Sequence, residues 1–97
     1  MNSINVAELK AMQEKNEDFQ LIDVREQYEY DEINMGAYHI PMGEIMERMD
    51  EIVKDKKVVV HCRSGARSAN VIGFLETQGF DNLYNLEGGI LAWAENQ

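Results

Sequence analysis

Cys62, the only cysteine in the chain, is the residue best placed to do covalent chemistry. It follows the apolar β-branched run Val58-Val59-Val60 and His61. It begins the loop Cys62-Arg63-Ser64-Gly65-Ala66-Arg67-Ser68, after which apolar residues recur at helical spacing. A strand ending in cysteine, a glycine-containing turn and a helix N-terminus together form a trap for a thiolate. The first helical turn leaves backbone N–H groups without partners, and the helix dipole favours negative charge there. Arg63 and Arg67 add positive charge. Each effect lowers a thiol pKa and raises the nucleophilic thiolate fraction. A free cysteine is more often a small buried hydrophobe, but the arginine-flanked loop favours a reactive nucleophile.

Few other groups are spaced for chemistry. Adjacent strand residues face apart, so His61 is not expected to serve Cys62 as a general base. His39 shows no partner in the sequence. Two histidines and one cysteine at these separations do not match metal-ligand spacing, so neither a metal nor another cofactor is expected. Asp23 and Arg25 follow a second apolar run and are candidates for the same rim as Cys62. The methionines between Met42 and Met49 read as core filler, and Trp93 reads as a lid on the core.

The elements that must position these residues alternate along the chain. Ile4 marks a short strand, and Asn5 is a candidate N-cap for a helix over 6–15. Phe19 to Val24 reads as a buried strand, Glu26 to Glu32 as a short acidic helix and Ala37 to Ile40 as a short strand that Pro41 ends. Apolar residues at 3/4 spacing predict a helix over 42–53. Val58 to His61 is the strongest strand. A helix follows over 66–78, with Gly73 inside it suggesting close packing against a neighbour and Gly79 as its stop. Leu83 to Leu86 is a last strand, and Gly88-Gly89 opens a terminal helix carrying Ile90, Leu91 and Trp93. Strands alternating with helices imply a largely parallel sheet covered on both faces. In such sheets ligands bind beyond the carboxyl ends of strands, where Cys62 lies.

The length of 97 residues suggests one domain spanning 1–97. A hydrophobic content of 44% with a single proline indicates a folded chain. The formal charge of −9 argues against nucleic acid or an anionic membrane as partner, because both need a basic face. No apolar run reaches the length of a membrane span, and the first residues lack the basic and apolar regions of a signal peptide. An unpaired reactive thiol suits a reducing compartment, so a cytoplasmic location is expected.

Several segments together resemble the rhodanese family: Leu21-Ile22-Asp23-Val24-Arg25-Glu26, Ile40-Pro41, Val58 through Ser68, Gly79-Phe80, and Leu86-Glu87-Gly88-Gly89-Ile90-Leu91-Ala92-Trp93. They run over almost the entire chain, in order. The resemblance implies a rhodanese-like α/β fold with a mostly parallel five-stranded sheet and helices on both faces. It also implies a sulfurtransferase. Cys62 would take sulfane sulfur from a donor such as thiosulfate, hold it as a persulfide and yield it to cyanide or another thiol. The loop amides of residues 63–67, including Gly65 and Ala66, would surround the transferred sulfur. Arg63 and Arg67 would draw in the anionic donor, and the Ser64 and Ser68 hydroxyls would donate further hydrogen bonds. Asp23 and Arg25 match the family's Asp-Val-Arg motif and read as structural support, an ion pair with Asp23 accepting from backbone donors. Family members often carry Gly-His-Ile-Pro-Gly-Ala before the third strand. Here the segment is Glu32-Ile33-Asn34-Met35-Gly36-Ala37, which leaves donor and acceptor preference open at the pocket lip.

Three rival readings compete with this one. Tyrosine phosphatases also place a cysteine and an arginine around an amide-lined loop, but with five residues between them, whereas four separate Cys62 from Arg67. Arsenate reduction meets the same spacing objection. A docking module without catalysis has no need of Cys62, Arg63 and Arg67. Between enzyme and module stands a persulfide carrier that delivers sulfur to one protein partner, for thiolation of a cofactor or tRNA. The expected partners are small sulfur-containing anions and a low-molecular-weight or protein thiol acceptor. For a protein acceptor, the acidic segment Glu26 to Glu32 and the lip at Ile33 to Met35 are the candidate docking surface.

Overall fold

The computed structural model describes residues 1–97. In chain order the elements are β1 (Asn2–Ile4), α1 (Val6–Glu14), β2 (Gln20–Asp23), α2 (Gln27–Glu32), β3 (Tyr38–His39), β4 (Val58–His61), α3 (Ala66–Thr77), β5 (Leu83–Leu86) and α4 (Gly89–Glu95). The strands form one sheet in the order β1-β5-β4-β2-β3, and every pairing is parallel. The expected α/β architecture is therefore present, with an entirely parallel sheet. No helix is long and apolar enough to cross a membrane.

The central strand shows why these residues adopt this arrangement. All four residues of β4 are buried, as a parallel strand between two helical layers requires. The period-2 alternation divides its side chains between two cores. Val58, Val60 and Cys62 pack with Ile72 and Leu75 of α3 and with Ile45 and Ile52. Val59 packs with Leu9 and Met12 of α1, and Trp93 and Ala92 of α4 lie against that second cluster. Asn5 caps α1 in a reciprocal box. Its Oδ1 accepts from the Glu8 N–H at 2.8 Å, and Glu8 Oε1 accepts from the Asn5 N–H at 3.0 Å.

Residues 42–53 depart from the expected helix. The segment forms only two 3₁₀ turns, Met42–Glu44 and Met49–Glu51. Ile45 and Ile52 are buried as the spacing predicts, but Met46 is 70% exposed. The amide of Gln20 explains how the segment ends. Its Nε2 donates to the Glu51 carbonyl and its Oε1 accepts from the Val53 N–H, each at 2.9 Å. These bonds occupy backbone groups that a continuing helix would use itself.

Gly73 also differs from expectation. A Cβ placed there meets nothing within 4 Å, because α3 turns Ser68, Val71, Ile72 and Leu75 toward the sheet instead. Gly73 thus costs helix stability with no packing return. Gly73→Ala should raise stability by about 0.5–1 kcal/mol, read as a higher Tm in thermal unfolding. A lower Tm would show a contact at this position.

Candidate active site

Cys62 follows β4 directly and continues the inward face of Val58 and Val60, with only 1% of the residue exposed. Gly65, the N-cap of α3, takes φ +120°, a region that strains any side-chain-bearing residue. This turn aims its N–H at Cys62 Sγ, 3.1 Å away. The Ser68 hydroxyl lies 3.4 Å from the same sulfur. Burial alone pushes the thiol pKa up. The Ser68 hydroxyl and the amides of Ser68, Gly65 and Ser64 outweigh burial and hold the pKa below its ordinary value. Oriented dipoles of the loop thus lead the effect, ahead of the arginine charges the sequence suggests.

Ser68 does not serve the sulfur alone. Its Oγ is 2.6 Å from Asn85 Oδ1 and 3.2 Å from the Gly65 carbonyl. One hydroxyl hydrogen cannot satisfy all three acceptors. Asn85 Nδ2 donates to the Gly65 carbonyl at 3.2 Å, which fixes the amide orientation and leaves Oδ1 facing Ser68. A Cys62 thiolate would compete with Asn85 Oδ1 for the Ser68 proton. Ser64 contributes its amide, while its exposed hydroxyl makes no hydrogen bond within the chain. Ala66 opens α3 at an exposed position.

The two loop arginines differ. Arg67 is held in a bidentate pair, Nη1 to Glu29 Oε1 at 2.7 Å and Nη2 to Glu29 Oε2 at 2.8 Å. The pair holds the Glu29 carboxyl down at about 2, so it is ionised at any working pH. Arg67, expected to draw in an anionic donor, thus already holds a carboxylate partner. Arg63 is exposed and lines a cavity of about 160 Å³ with Glu29, Glu32, Ile33 and Leu91.

The loop rests on α4. The N–H groups of Ile90 and Leu91 donate to the carbonyls of Cys62 and Arg63 at 3.0 and 3.1 Å. A Cβ on Gly89 would stand 2.5 Å from the Arg63 carbonyl oxygen and 2.6 Å from that of Cys62. Only glycine permits this approach.

Asp23 and Arg25 form a buried ion pair, with Arg25 Nη2 2.7 Å from Asp23 Oδ2. Asp23 Oδ1 also accepts from the Arg25 N–H at 2.9 Å. His61 faces away from Cys62. Its Nε2 lies 3.6 Å from Asp23 Oδ2 without a hydrogen bond. Burial pushes the His61 pKa down, against the pull of Asp23. His39, partnerless in the sequence, stacks on Tyr30 at 4.7 Å between ring centroids and donates from Nε2 to the Arg25 carbonyl at 2.6 Å.

The family description "Rhodanese-like domain" matches residues 5–96. The chain is 47% identical over 94 residues to "Putative sulfurtransferase YtwF" of Bacillus subtilis, covering 96% of this chain and 90% of that protein. The chain belongs to the rhodanese-like family. A "Sulfurtransferase" of Allochromatium vinosum is 40% identical over 97 residues, covering 99% of this chain and 91% of the other. The crystal structure of a rhodanese-like domain protein from Staphylococcus aureus superposes with a TM-score of 0.88 at 35% identity, covering 96% and 91% of the two chains.

In this rhodanese-like chain the atypical lip divides between two roles. Ile33 is 45% exposed at the cavity rim, whereas Met35 packs against the second core. Glu29, within the acidic segment offered as a docking surface, is turned to the loop and pairs with Arg67. The sequence gives no sign of that pairing or of the role of Asn85. The paired glycines at 88–89, a helix start and part of a segment that resembles the family, are the visible signal for the contact made by Gly89.

Ser68→Ala should slow alkylation of Cys62 by iodoacetamide about three- to tenfold at neutral pH, the effect of one lost hydrogen bond to a thiolate. The titration of reactivity should move to higher pH. An unchanged profile would mean that Asn85 keeps the Ser68 proton throughout.

Proposed function

We propose that this chain is a sulfurtransferase that carries sulfane sulfur on Cys62. The observation that best supports this reading is the set of donors converging on Sγ from Gly65, Ser64 and Ser68. A cradle that stabilises a thiolate also suits the terminal sulfur of a persulfide, which is anionic and lies one bond further into the loop.

The reaction runs in two half-steps. The Cys62 thiolate attacks the outer sulfur of thiosulfate. A Cys62 S–S bond forms, the donor's S–S bond breaks and sulfite departs with the electron pair. Cyanide or a thiolate then attacks the outer sulfur, and the Cys62 thiolate leaves. Covalent catalysis of this kind gives ping-pong kinetics. Ile33 and Leu91, 45% and 41% exposed beside the cavity, favour a thiol with an apolar body as the working acceptor. That acceptor is a small molecule or a protein, and the second case makes the chain a persulfide carrier. An unpaired thiol of this kind works in a reducing compartment, so we place the chain in the cytoplasm. Phosphatase chemistry is disfavoured, because Glu29 already occupies the Arg67 guanidinium that would clamp a phosphate.

Brief incubation with thiosulfate, followed by intact mass measurement, tests the reading. The protein should gain the mass of one sulfur atom, lose it to cyanide or dithiothreitol, and gain nothing as Cys62→Ser. No adduct with any sulfane donor would refute a sulfurtransferase.

A further inference from the structure

Resting on the sulfurtransferase reading, we propose that Glu29 sets the charge of the donor, selecting sulfane donors that carry less negative charge than a dianion. An arginine already paired with a carboxylate attracts an incoming anion less than an unpaired one. Here Arg67, the loop arginine at the start of α3, has both terminal nitrogens on one carboxylate.

Glu29 is held in place by more than Arg67. Its Oε1 also accepts from the Glu26 N–H at 2.9 Å, and its carbonyl accepts from Arg25 Nη1 at 3.2 Å. Its side chain is only 13% exposed, so water competes poorly for it. The carboxylate is thus preset, and an incoming anion must displace it or approach alongside it. The remaining charges at this rim give the anion little compensation. Asp23 cancels Arg25 within the buried pair. Glu32 shares the cavity with Arg63, the one loop arginine without an ion-pair partner. Three arginines therefore face three carboxylates on a protein of formal charge −9. The nucleophile is itself a thiolate. Each unit of negative charge on the donor raises the cost of approach, while the dipoles at Sγ reward only the sulfur that reaches them.

The test compares two donors that differ in charge more than in shape. Thiosulfate is a dianion. Methanethiosulfonate replaces one oxygen by methyl and is a monoanion. In both, the new bond joins Cys62 Sγ to the outer sulfur and the donor's S–S bond breaks. Sulfite leaves from the first and methanesulfinate from the second. Second-order rate constants for persulfide formation would be measured for the native protein, Glu29→Gln and Glu29→Asp. Glu29→Gln should raise the rate constant for thiosulfate roughly tenfold relative to that for methanethiosulfonate. Glu29→Asp, which keeps the charge, should retain the native preference. Glu32→Gln removes an exposed carboxylate with no hydrogen-bond partner in the chain. It should shift the ratio in the same direction, and it carries the test if Glu29→Gln does not fold. A rate change equal for both donors would make the Glu29–Arg67 pair a structural clamp and overturn the proposal. An unchanged ratio in Glu29→Gln, or in Glu32→Gln where Glu29→Gln does not fold, would do the same. Loading of Cys62 by neither donor in any protein would remove the sulfurtransferase reading itself, and this inference with it.

Discussion

The site depends on a backbone contact between the Cys62 loop and the first turn of α4. Ile90 and Leu91 donate their N–H groups to the carbonyls of Cys62 and Arg63. These N–H groups are helix-terminal donors with no partner inside the helix, so the contact satisfies both elements. Its consequence follows from the planarity of the trans peptide, which sets each C=O opposite the next residue's N–H. With the Arg63 carbonyl drawn out toward α4, the Ser64 N–H must turn the other way, toward the sulfur. That amide is among the groups that depress the thiol pKa. Gly89 is therefore part of the electrostatics of Cys62 although it touches only backbone. A Cβ there would force the loop away from α4 and release the carbonyls that hold the amides in place.

A second chain of contacts reaches the loop from the other side. Asp23 is fully buried at the end of β2 and holds Arg25 through its backbone N–H, Nε and Nη2. Arg25 in turn donates to the carbonyls of Glu29 and Ile33. The ion pair thereby fixes α2 against the sheet, and α2 presents Glu29 to Arg67. A buried pair of this sort adds little over well-packed apolar residues, but removing one partner leaves a stranded charge at a cost of about 3–5 kcal/mol. Asp23 and Arg25 are best understood through that asymmetry. They hold in place Glu29, 38 residues away in sequence from the Arg67 it meets.

What could be read from the sequence was what local grammar encodes. The run Val58-Val59-Val60-His61, the turn at Gly65 and the apolar spacing after Ser68 specify strand, loop and helix within a few residues of each other, and the thiol falls where those elements meet. Asn5 with Glu8 is equally local. The Glu29–Arg67 and Ser68–Asn85 contacts join side chains from separate elements, so nothing short of the topology brings them together. The segment 42–53 shows the converse failure. Its apolar spacing is real, as Ile45 and Ile52 show, but periodicity cannot register that Gln20 of β2 takes the backbone groups a helix would need. Gly73 misled for a related reason. Glycine within a helix has more than one cause, and only the rotation of α3 against the sheet decides whether a neighbour lies over it.

The separation of short-range from long-range electrostatics explains how an acidic protein supports a stabilised thiolate. Fixed dipoles act over a few ångströms and need no counter-charge, whereas arginines would extend an attractive field into solvent. This loop uses the first and cancels much of the second, since Arg67 meets Glu29 and Arg25 meets Asp23. The sulfur is stabilised from within, by groups that also shield it, for only 1% of Cys62 is exposed. A persulfide on Cys62 would inherit the same donors and the same shelter. On the proposed reading, stability of a carried sulfur and attraction of its donor would be set by different residues. The amides of Ser64 and Gly65 with the Ser68 hydroxyl would govern the first, and the balance of Arg63, Arg67, Glu29 and Glu32 would govern the second, so one could change without the other.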